Sequence, residues 1–148
     1  MIAPQEQADP RELEELSREE CMTLMRTQPV GRFAVAQGEA APHVVPVNYV
    51  FDGENVVFRS GPGTKLALVA GGAVSFQVDS IDTVRREGWS VLIKGRAYQA
   101  FAHEVDHLRL EPYDKGEKER WVRIEPDLVT GRRIRSQEFA VGDSRGYL

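Results

Sequence analysis

Short runs of valine and aromatic residues, separated by turn signals, most constrain the fold of this chain. The runs with strand character cover residues 33–35, 43–51, 56–60, 73–80, 89–101, 120–125 and, as an extension, 129–134. Asp52-Gly53 is typical of a hairpin turn, and Gly95 predicts a bulge or bend inside a long strand. Only two or three short helices are predicted, too few to provide the crossovers of a parallel sheet. The pattern therefore predicts a mainly β fold with about six antiparallel strands in a closed barrel.

A helix is predicted directly before this β region. Ser17 and Glu20 form a capping box. Cys21, Leu24 and Met25 then share one helix face, so Cys21 is interpreted as a small core residue rather than a reactive thiol. Residues 1–15 are charged and contain two prolines, which predicts a flexible N-terminal arm. The predicted domain covers residues 16–135, and residues 136–148 form a C-terminal tail.

Composition excludes several classes of function. A net charge of −4 and a pI near 5.4 argue against nucleic-acid binding through general basicity. No apolar run approaches the ~20 residues of a membrane span, and residues 1–15 lack the apolar segment of a signal peptide. Cys21, as the one cysteine, leaves no internal disulfide. We therefore expect a cytoplasmic protein, with neither nucleic acid nor membrane as a partner.

Residues 59–66 have the composition of an anion-binding turn. A predicted strand ends with Arg59 and Ser60, a Gly-Pro-Gly turn follows, and Thr64 and Lys65 open a short predicted helix. Backbone N–H groups and the helix dipole favour a phosphate at such a place. The glycine spacing differs from that of a Walker loop, so a phosphate is predicted but not a nucleoside triphosphate. The alternative is that Arg59 and Lys65 are solvated surface cations.

The order of several short motifs resembles one family. The motifs are Val30-Gly31-Arg32, Pro42-His43-Val44-Val45-Pro46-Val47-Asn48-Tyr49, Val57-Phe58-Arg59-Ser60, Gly63-Thr64-Lys65, Gly88-Trp89-Ser90-Val91, Gly95-Arg96-Ala97, Trp121-Val122-Arg123-Ile124 and Thr130-Gly131-Arg132. Together they resemble the pyridoxamine 5′-phosphate oxidase family, and more narrowly its FMN-binding split-barrel branch in actinobacteria. The resemblance implies a six-stranded antiparallel split β-barrel with a few short helices, assembled as a homodimer with flavin at the interface.

The same resemblance implies a set of cofactor-binding residues. They are Pro46, Val47, Asn48, Tyr49, Arg59, Ser60, Thr64, Lys65, Gln77, Trp89 and Ser90. Arg59 and Lys65 would hold the FMN phosphate, since a strand-end arginine can bind it bidentately. The backbone of residues 46–49 would follow the edge of the isoalloxazine ring, Gln77 would lie near the ribityl chain or the ring, and the partner subunit's Trp89 and Ser90 would reach the flavin. Alternatively, Trp89 packs in the core or an interface and Asn48 bonds neighbouring backbone.

The resemblance implies a flavin-dependent oxidoreductase that acts on a small-molecule substrate, with the cofactor carrying the redox chemistry. No acid–base pair singles out catalytic residues or a substrate. The Arg-x-His arrangement of the true oxidases has no counterpart in residues 132–135 or in the tail. An F420-dependent reductase is the enzymatic alternative, since F420 also joins a phosphate to a flavin-like ring, and a non-catalytic flavin carrier or sensor is another.

Two histidine motifs compete with the flavin interpretation. Residues 103–107 read His-Glu-Val-Asp-His and match the zinc-protease pattern. The predicted helix is short and no later histidine offers a third ligand, so a solvated helix face is preferred and no metal site is predicted. His43 is interpreted as a water-facing strand residue, with contact to a substrate at the flavin as the alternative.

Overall fold

The structure is a computed structural model that describes residues 11–60, 70–101 and 120–136. These residues form β1 (Arg11–Leu16), α1 (Arg18–Met25), β2 (Val30–Gln37), β3 (Ala40–Phe51), β4 (Val56–Ser60), β5 (Gly72–Asp82), β6 (Glu87–Ala100) and β7 (Arg120–Ser136). None of the helices in this part of the chain is long and apolar enough to cross a membrane. The predicted helices after Lys65 and over 103–110 lie outside the described residues.

Six strands close into a barrel. They follow the order β7-β4-β3-β2-β5-β6, and β6 pairs with β7 to complete the ring. All of these pairs are antiparallel. The predicted mainly β, six-stranded antiparallel barrel is therefore confirmed, including the bulge at Gly95, where the β6–β7 register shifts.

A seventh described strand, β1, lies beside the ring. It pairs antiparallel with the last six residues of β7, from Leu16 opposite Gly131 to Arg11 opposite Ser136. Residues 11–15 thus belong to the sheet, although the sequence predicts an arm over 1–15; residues 1–10 lie outside the described part. The local sequence is too charged to suggest a strand, but the long β7 supplies the partner, and Arg135 pairs with Glu14 at 3.6 Å.

The barrel interior is filled by aromatic side chains from neighbouring strands. Phe33, Phe58 and Phe76 are fully buried, with ring centroids 5.0 Å apart for Phe33–Phe58 and 6.4 Å apart for Phe58–Phe76. The Tyr49 ring meets Phe76 edge-on at 4.9 Å. Alternate residues of a strand face opposite sides of the sheet. The residues directly before and after each of these aromatics therefore point out of the barrel.

Helix α1 packs against this core. Glu20 N donates to Ser17 Oγ at 3.1 Å, and Ser17 Oγ donates to Glu20 Oε1 at 3.2 Å, which confirms the predicted capping residues. Cys21 and Met25 are buried in the main core cluster. Burial, with a smaller contribution from Glu20, raises the pKa of the Cys21 thiol, as expected of a core cysteine.

Candidate functional site

The outer face of the barrel carries a group of polar side chains on β2 and β5. Arg32 lies opposite Pro46 of β3 on one side and opposite Gln77 of β5 on the other. Since Phe33 points into the core, the neighbouring Arg32 points outward with its two partners. The next outward residue of β5, Asp79, lies opposite Ser90 of β6. The fold therefore brings Pro46, Gln77 and Ser90, which are far apart in sequence, onto one face.

Arg32, Gln77 and Asp79 form what we call the outer polar cluster. Arg32 Nη1 donates to Gln77 Oε1 at 3.3 Å and to Asp79 Oδ1 at 3.2 Å, and Gln77 Nε2 donates to Asp79 Oδ2 at 2.8 Å. The Arg32 side chain remains 49% exposed and that of Asp79 25% exposed. The cluster thus holds a guanidinium and an amide in fixed orientations while leaving part of the guanidinium open to a ligand.

Strand β3 changes neighbours next to this cluster. It pairs with β2 from Ala40 to Asn48 and with β4 from Tyr49 to Phe51. Over 40–48 the edge away from β2 has no partner among the described strands. A free strand edge offers backbone donors and acceptors to a ligand, and this edge includes Pro46, Val47 and Asn48 of the predicted ring-binding segment.

Two residues of that segment have structural roles for their side chains. Asn48 Nδ2 donates to the Pro29 carbonyl at 3.3 Å. The Asn48 side chain thus bonds neighbouring backbone, which is the alternative to a cofactor contact given above. The Tyr49 side chain points into the core, where its hydroxyl donates to the Met25 carbonyl. Burial raises the pKa of Tyr49 to about 12. Tyr49 can therefore contribute only its backbone to an outer site, as the prediction requires.

Trp89 and Ser90 face opposite sides of β6. Ser90 shares the outer face with Asp79, whereas Trp89 packs against the main core cluster and remains partly exposed. Trp89 also lines a groove near the β5–β6 turn. The structure therefore places Ser90 on the same face as the outer polar cluster. Trp89 packs against the core, which is the alternative that the sequence left open for it.

The predicted phosphate cradle is only partly described. Arg59 is half-buried at the end of β4, opposite Trp121 of β7. Arg59 and Asn48 lie just beyond the paired residues Phe58 and Tyr49, where β3 and β4 separate. The backbone of Ser60 ends β4, while Thr64 and Lys65 lie outside the described residues, so the cradle as a unit stays a prediction.

The histidine hypotheses gain no support from this geometry. His43 pairs with Val35, on the same side of the sheet as Phe33 and opposite to Arg32. No cluster of three or more potential metal ligands occurs in residues 11–60, 70–101 and 120–136. His103 and His107 lie outside these ranges.

Sequence reasoning missed two members of the outer polar cluster, Arg32 and Asp79. Both lie next to buried residues of a strand: Arg32 lies between Gly31 and Phe33, and Asp79 follows Val78. A charged residue that alternates with core residues must point outward, so the period of the strands supplied a signal. Their mutual contact requires the β2–β5 pairing, which the sequence alone does not specify.

Comparisons with known proteins identify relatives across most of the chain. A protein-family model described as pyridoxamine 5′-phosphate oxidase matches residues 17–133. An uncharacterized protein of Mycobacterium tuberculosis, Rv0080, is 33% identical over 91% of this chain and 90% of its own length. The solved structure of the FAD binding protein from Mycobacterium smegmatis has a TM-score of 0.72 and 33% identity, covering 82% of this chain and 98% of that one.

A second solved structure, a FAD-binding protein from Mesorhizobium loti, has a TM-score of 0.65 and 26% identity, covering 82% of this chain and 97% of that one. The family model spans the region that holds the barrel, the outer polar cluster and the residues of the family-like motifs. The chain belongs to the pyridoxamine 5′-phosphate oxidase family.

Proposed function

We propose that this protein is a flavoprotein that binds FMN beside the outer polar cluster and acts as an oxidoreductase. The observation that carries the proposal is the placement of Arg32 and Gln77 on one outer face, next to the edge of β3 at 46–48 that has no partner among the described strands. The family match and the two FAD-binding relatives support a flavin as the ligand class.

The described residues fit the chemistry of a flavin ring. An isoalloxazine needs hydrogen-bond donors and acceptors at its pyrimidine edge and an apolar surface at its faces. The β3 edge offers backbone groups, and Gln77 offers an amide whose orientation is set by Arg32 and Asp79. Arg59 and the predicted Lys65 would hold the phosphate by charge-assisted hydrogen bonds.

When bound, the flavin would supply the electron-transfer chemistry. The chain's own contribution is binding and electrostatics. Asp79 orients the Arg32 guanidinium through a 3.2 Å contact, so the guanidinium donors are held in place at this face before a ligand binds. Gln77 is held by both members of the pair, which limits its rotation before a ligand arrives.

We propose further that the functional unit is a homodimer with the flavin at its interface. On the same outer face as Arg32, the side chains of Val30 and Val44 are 41% and 60% exposed. A second copy would cover these apolar groups and close the open side of the outer polar cluster. The partner's Ser90 would then complete the site, as the resemblance implies.

The identity of the flavin is testable on the purified protein. We expect flavin absorbance, and release of FMN on heat denaturation, identified by mass spectrometry. FAD shares the FMN half and is the alternative favoured by the two FAD-binding relatives. Tight binding of F420 with no affinity for FMN or FAD would overturn the proposal in favour of the deazaflavin.

Charge reversal tests the phosphate site. We expect the double variant Arg59→Glu/Lys65→Glu to lose bound flavin while keeping its circular dichroism spectrum. Arg18→Gln, which removes an exposed arginine from α1, is the control and retains the flavin. Flavin retention in the double variant would refute the cradle at residues 59–65.

Reduction of the bound flavin by an electron donor distinguishes an oxidoreductase from a non-catalytic flavin carrier. The flavin-loaded protein is mixed with NADH, NADPH or reduced F420, and bleaching of the flavin absorbance is followed. Reduction by one of these donors supports the enzyme. Stable binding without reduction by any donor or turnover of candidate substrates favours the carrier or sensor.

A further inference from the structure

Strand β1 is the one described strand that lies outside the closed ring of the barrel, and it pairs with β7 alone. The ring is closed by the pairs of β7 with β4 and with β6, neither of which involves β1. The β1–β7 pairing runs from Arg11 opposite Ser136 to Leu16 opposite Gly131. Loss of this pairing would therefore leave every strand pair of the ring in place.

Apolar packing fastens β1 at its C-terminal end. Leu16 is buried in the main core cluster, whereas Leu13, the other apolar side chain of the strand, is 58% exposed. The remaining four residues of β1 are one arginine and three glutamates. Because buried apolar surface supplies most of the free energy that holds an element against a core, β1 depends more than the ring strands on backbone pairing and on charge.

The charges of the two paired segments are complementary. Residues 131–136 contain three arginines and no acidic residue, and the register places a glutamate of β1 opposite each of these arginines. Glu14 Oε2 lies 3.6 Å from Arg135 Nε, and both side chains remain exposed. Exposed opposite charges on paired strands attract weakly, and salt screens the attraction. Ionic strength should therefore act on this pairing.

Helix α1 is fastened to the barrel by contacts of its own. Met25 is buried in the main core cluster, and its carbonyl accepts a hydrogen bond from the Tyr49 hydroxyl. Ser17, the one residue between β1 and α1, caps the helix by accepting from the Glu20 N–H. Separation of β1 from β7 therefore requires a backbone rotation near Ser17 and no loss of these α1 contacts.

Leu16 and the Cys21 thiol lie side by side over Gly131 of β7. A Cβ added at Gly131 would lie 2.5 Å from Cys21 Sγ and 3.2 Å from Leu16 Cδ1. Cys21 is fully buried while β1 is in place, and it is the one cysteine of the chain. Because removal of Leu16 would uncover one side of Sγ, the reactivity of this thiol reports on the position of β1.

We propose that β1 is a strap, held in part by charge, that opens from β7 while the barrel and α1 stay folded. Opening moves Leu16 away from Gly131, gives small reagents access to the Cys21 thiol and uncovers the edge of β7 beside its three arginines. Low salt favours the closed strap and high salt the open one. This conformational switch does not depend on the proposed flavin function.

Alkylation of Cys21 by iodoacetamide, followed by mass spectrometry of the purified chain, tests the strap. Rates are divided by those of the unfolded chain at the same salt concentration. We expect alkylation to be faster than global unfolding permits, and to speed up about threefold or more from 0.1 to 1 M sodium chloride, as the Debye length falls from about 10 to 3 Å. Alkylation limited by global unfolding, or a rate that salt leaves unchanged or lowers, would overturn the proposal.

Hydrogen exchange separates opening of the strap from loosening of the whole fold. The backbone amides of residues 11–16 should exchange faster in 1 M salt than in 0.1 M salt. The amides of residues 91–93, which belong to the ring strand β6, should exchange at the same rate in both. Equal acceleration of the two segments would show that salt acts on the whole barrel and would overturn the strap.

Charge variants test what holds the strap closed. Glu14→Gln removes the carboxylate that pairs with Arg135, and it should speed alkylation at 0.1 M salt about two- to fivefold, the effect of one exposed ion pair. Arg135→Gln should act in the same direction. Asp127→Asn, which removes the carboxylate of an exposed ion pair with Arg96, is the matched control and should alkylate like the parent protein. Unchanged rates in both Glu14→Gln and Arg135→Gln would show that charge does not hold the strap.

Discussion

The two faces of strands β2 and β5 differ sharply although their residues alternate along the same backbone. The inner face presents Phe33 and Phe76, which are fully buried. The outer face presents Arg32 and Gln77, which meet through a hydrogen bond at the surface. Both pairs depend on the same β2–β5 register, in which Phe33 faces Phe76 and Arg32 faces Gln77.

This difference shows how the barrel separates stability from binding. Apolar side chains removed from water supply most of the folding free energy. Exposed polar contacts add little to it but hold donors and charges in place for a ligand. Changes on the inner face should therefore lower stability, and changes on the outer face should act mainly on binding.

The largest effect is expected on the inner face. Phe76→Ala should lower the free energy of unfolding by about 3–5 kcal/mol, because it removes a fully buried ring and leaves a cavity. Guanidinium denaturation followed by circular dichroism measures the loss. A loss below about 1 kcal/mol, the typical effect of a point substitution, would contradict the assignment of this face to the core.

An intermediate effect is expected from Tyr49, whose ring is inside while its backbone reaches the outer site. Burial raises its pKa from 10.0 to about 12, so the folded state keeps the phenol proton at a pH where the unfolded state has lost it. The corresponding stability is fully present below pH 10 and is lost as pH rises through 12, by about 2–3 kcal/mol.

Tyr49→Phe tests this pH dependence. The variant should lose about 1 kcal/mol at neutral pH, since the hydroxyl no longer donates to Met25. Its stability should fall less steeply than that of the parent protein between pH 10 and 12. Parallel stability curves for the two proteins in this range would show that the phenol is not the titrating group.

The smallest effect on stability is expected on the outer face. Asp79→Asn removes the carboxylate from the ion pair with Arg32, and it should change the free energy of unfolding by about 0–1 kcal/mol. Under the proposed function it should nevertheless reduce flavin retention, because Arg32 and Gln77 lose their common partner. Flavin content per subunit, measured by absorbance after purification, is the readout.

Asp127→Asn is the matched control for this prediction. It removes the carboxylate from the exposed ion pair between Asp127 and Arg96, which are 3.7 Å apart, and it lies outside the outer polar cluster. We expect both variants to keep their stability and only Asp79→Asn to lose flavin. Equal flavin content in the two variants would show that Asp79 does not contribute to flavin binding. A large loss of stability in Asp79→Asn would contradict the division of stability and binding between the inner and outer faces.

Much of the fold was predictable because local signals specify it. Alternating apolar residues mark the six ring strands. In the turn that follows β3, the Asp52 side chain accepts hydrogen bonds from the backbone N–H groups of Glu54 and Asn55. The capping residues Ser17 and Glu20 also act within four residues of each other. Strand β1 was missed because its pairing depends on a partner more than 100 residues away, with Leu16 opposite Gly131.

The site was predictable only in part. The family resemblance implied Gln77 and Ser90, and the structure places both on the outer face, whereas Trp89 faces the core side. Arg32 and Asp79 were missed, since no short-range pattern connects residues 47 positions apart. The phosphate-binding role of Arg59, Thr64 and Lys65 remains a prediction that flavin retention in the variants will test.

By itself, the sequence determined which residues face the core, where the strands turn and where α1 begins, because these depend on side-chain period and on bonds between near neighbours. The tertiary structure decided how the ring closes, that β1 joins it and that Arg32, Gln77 and Asp79 meet. Those features depend on register between distant strands, which is selected by burial of the whole core and not by any local segment.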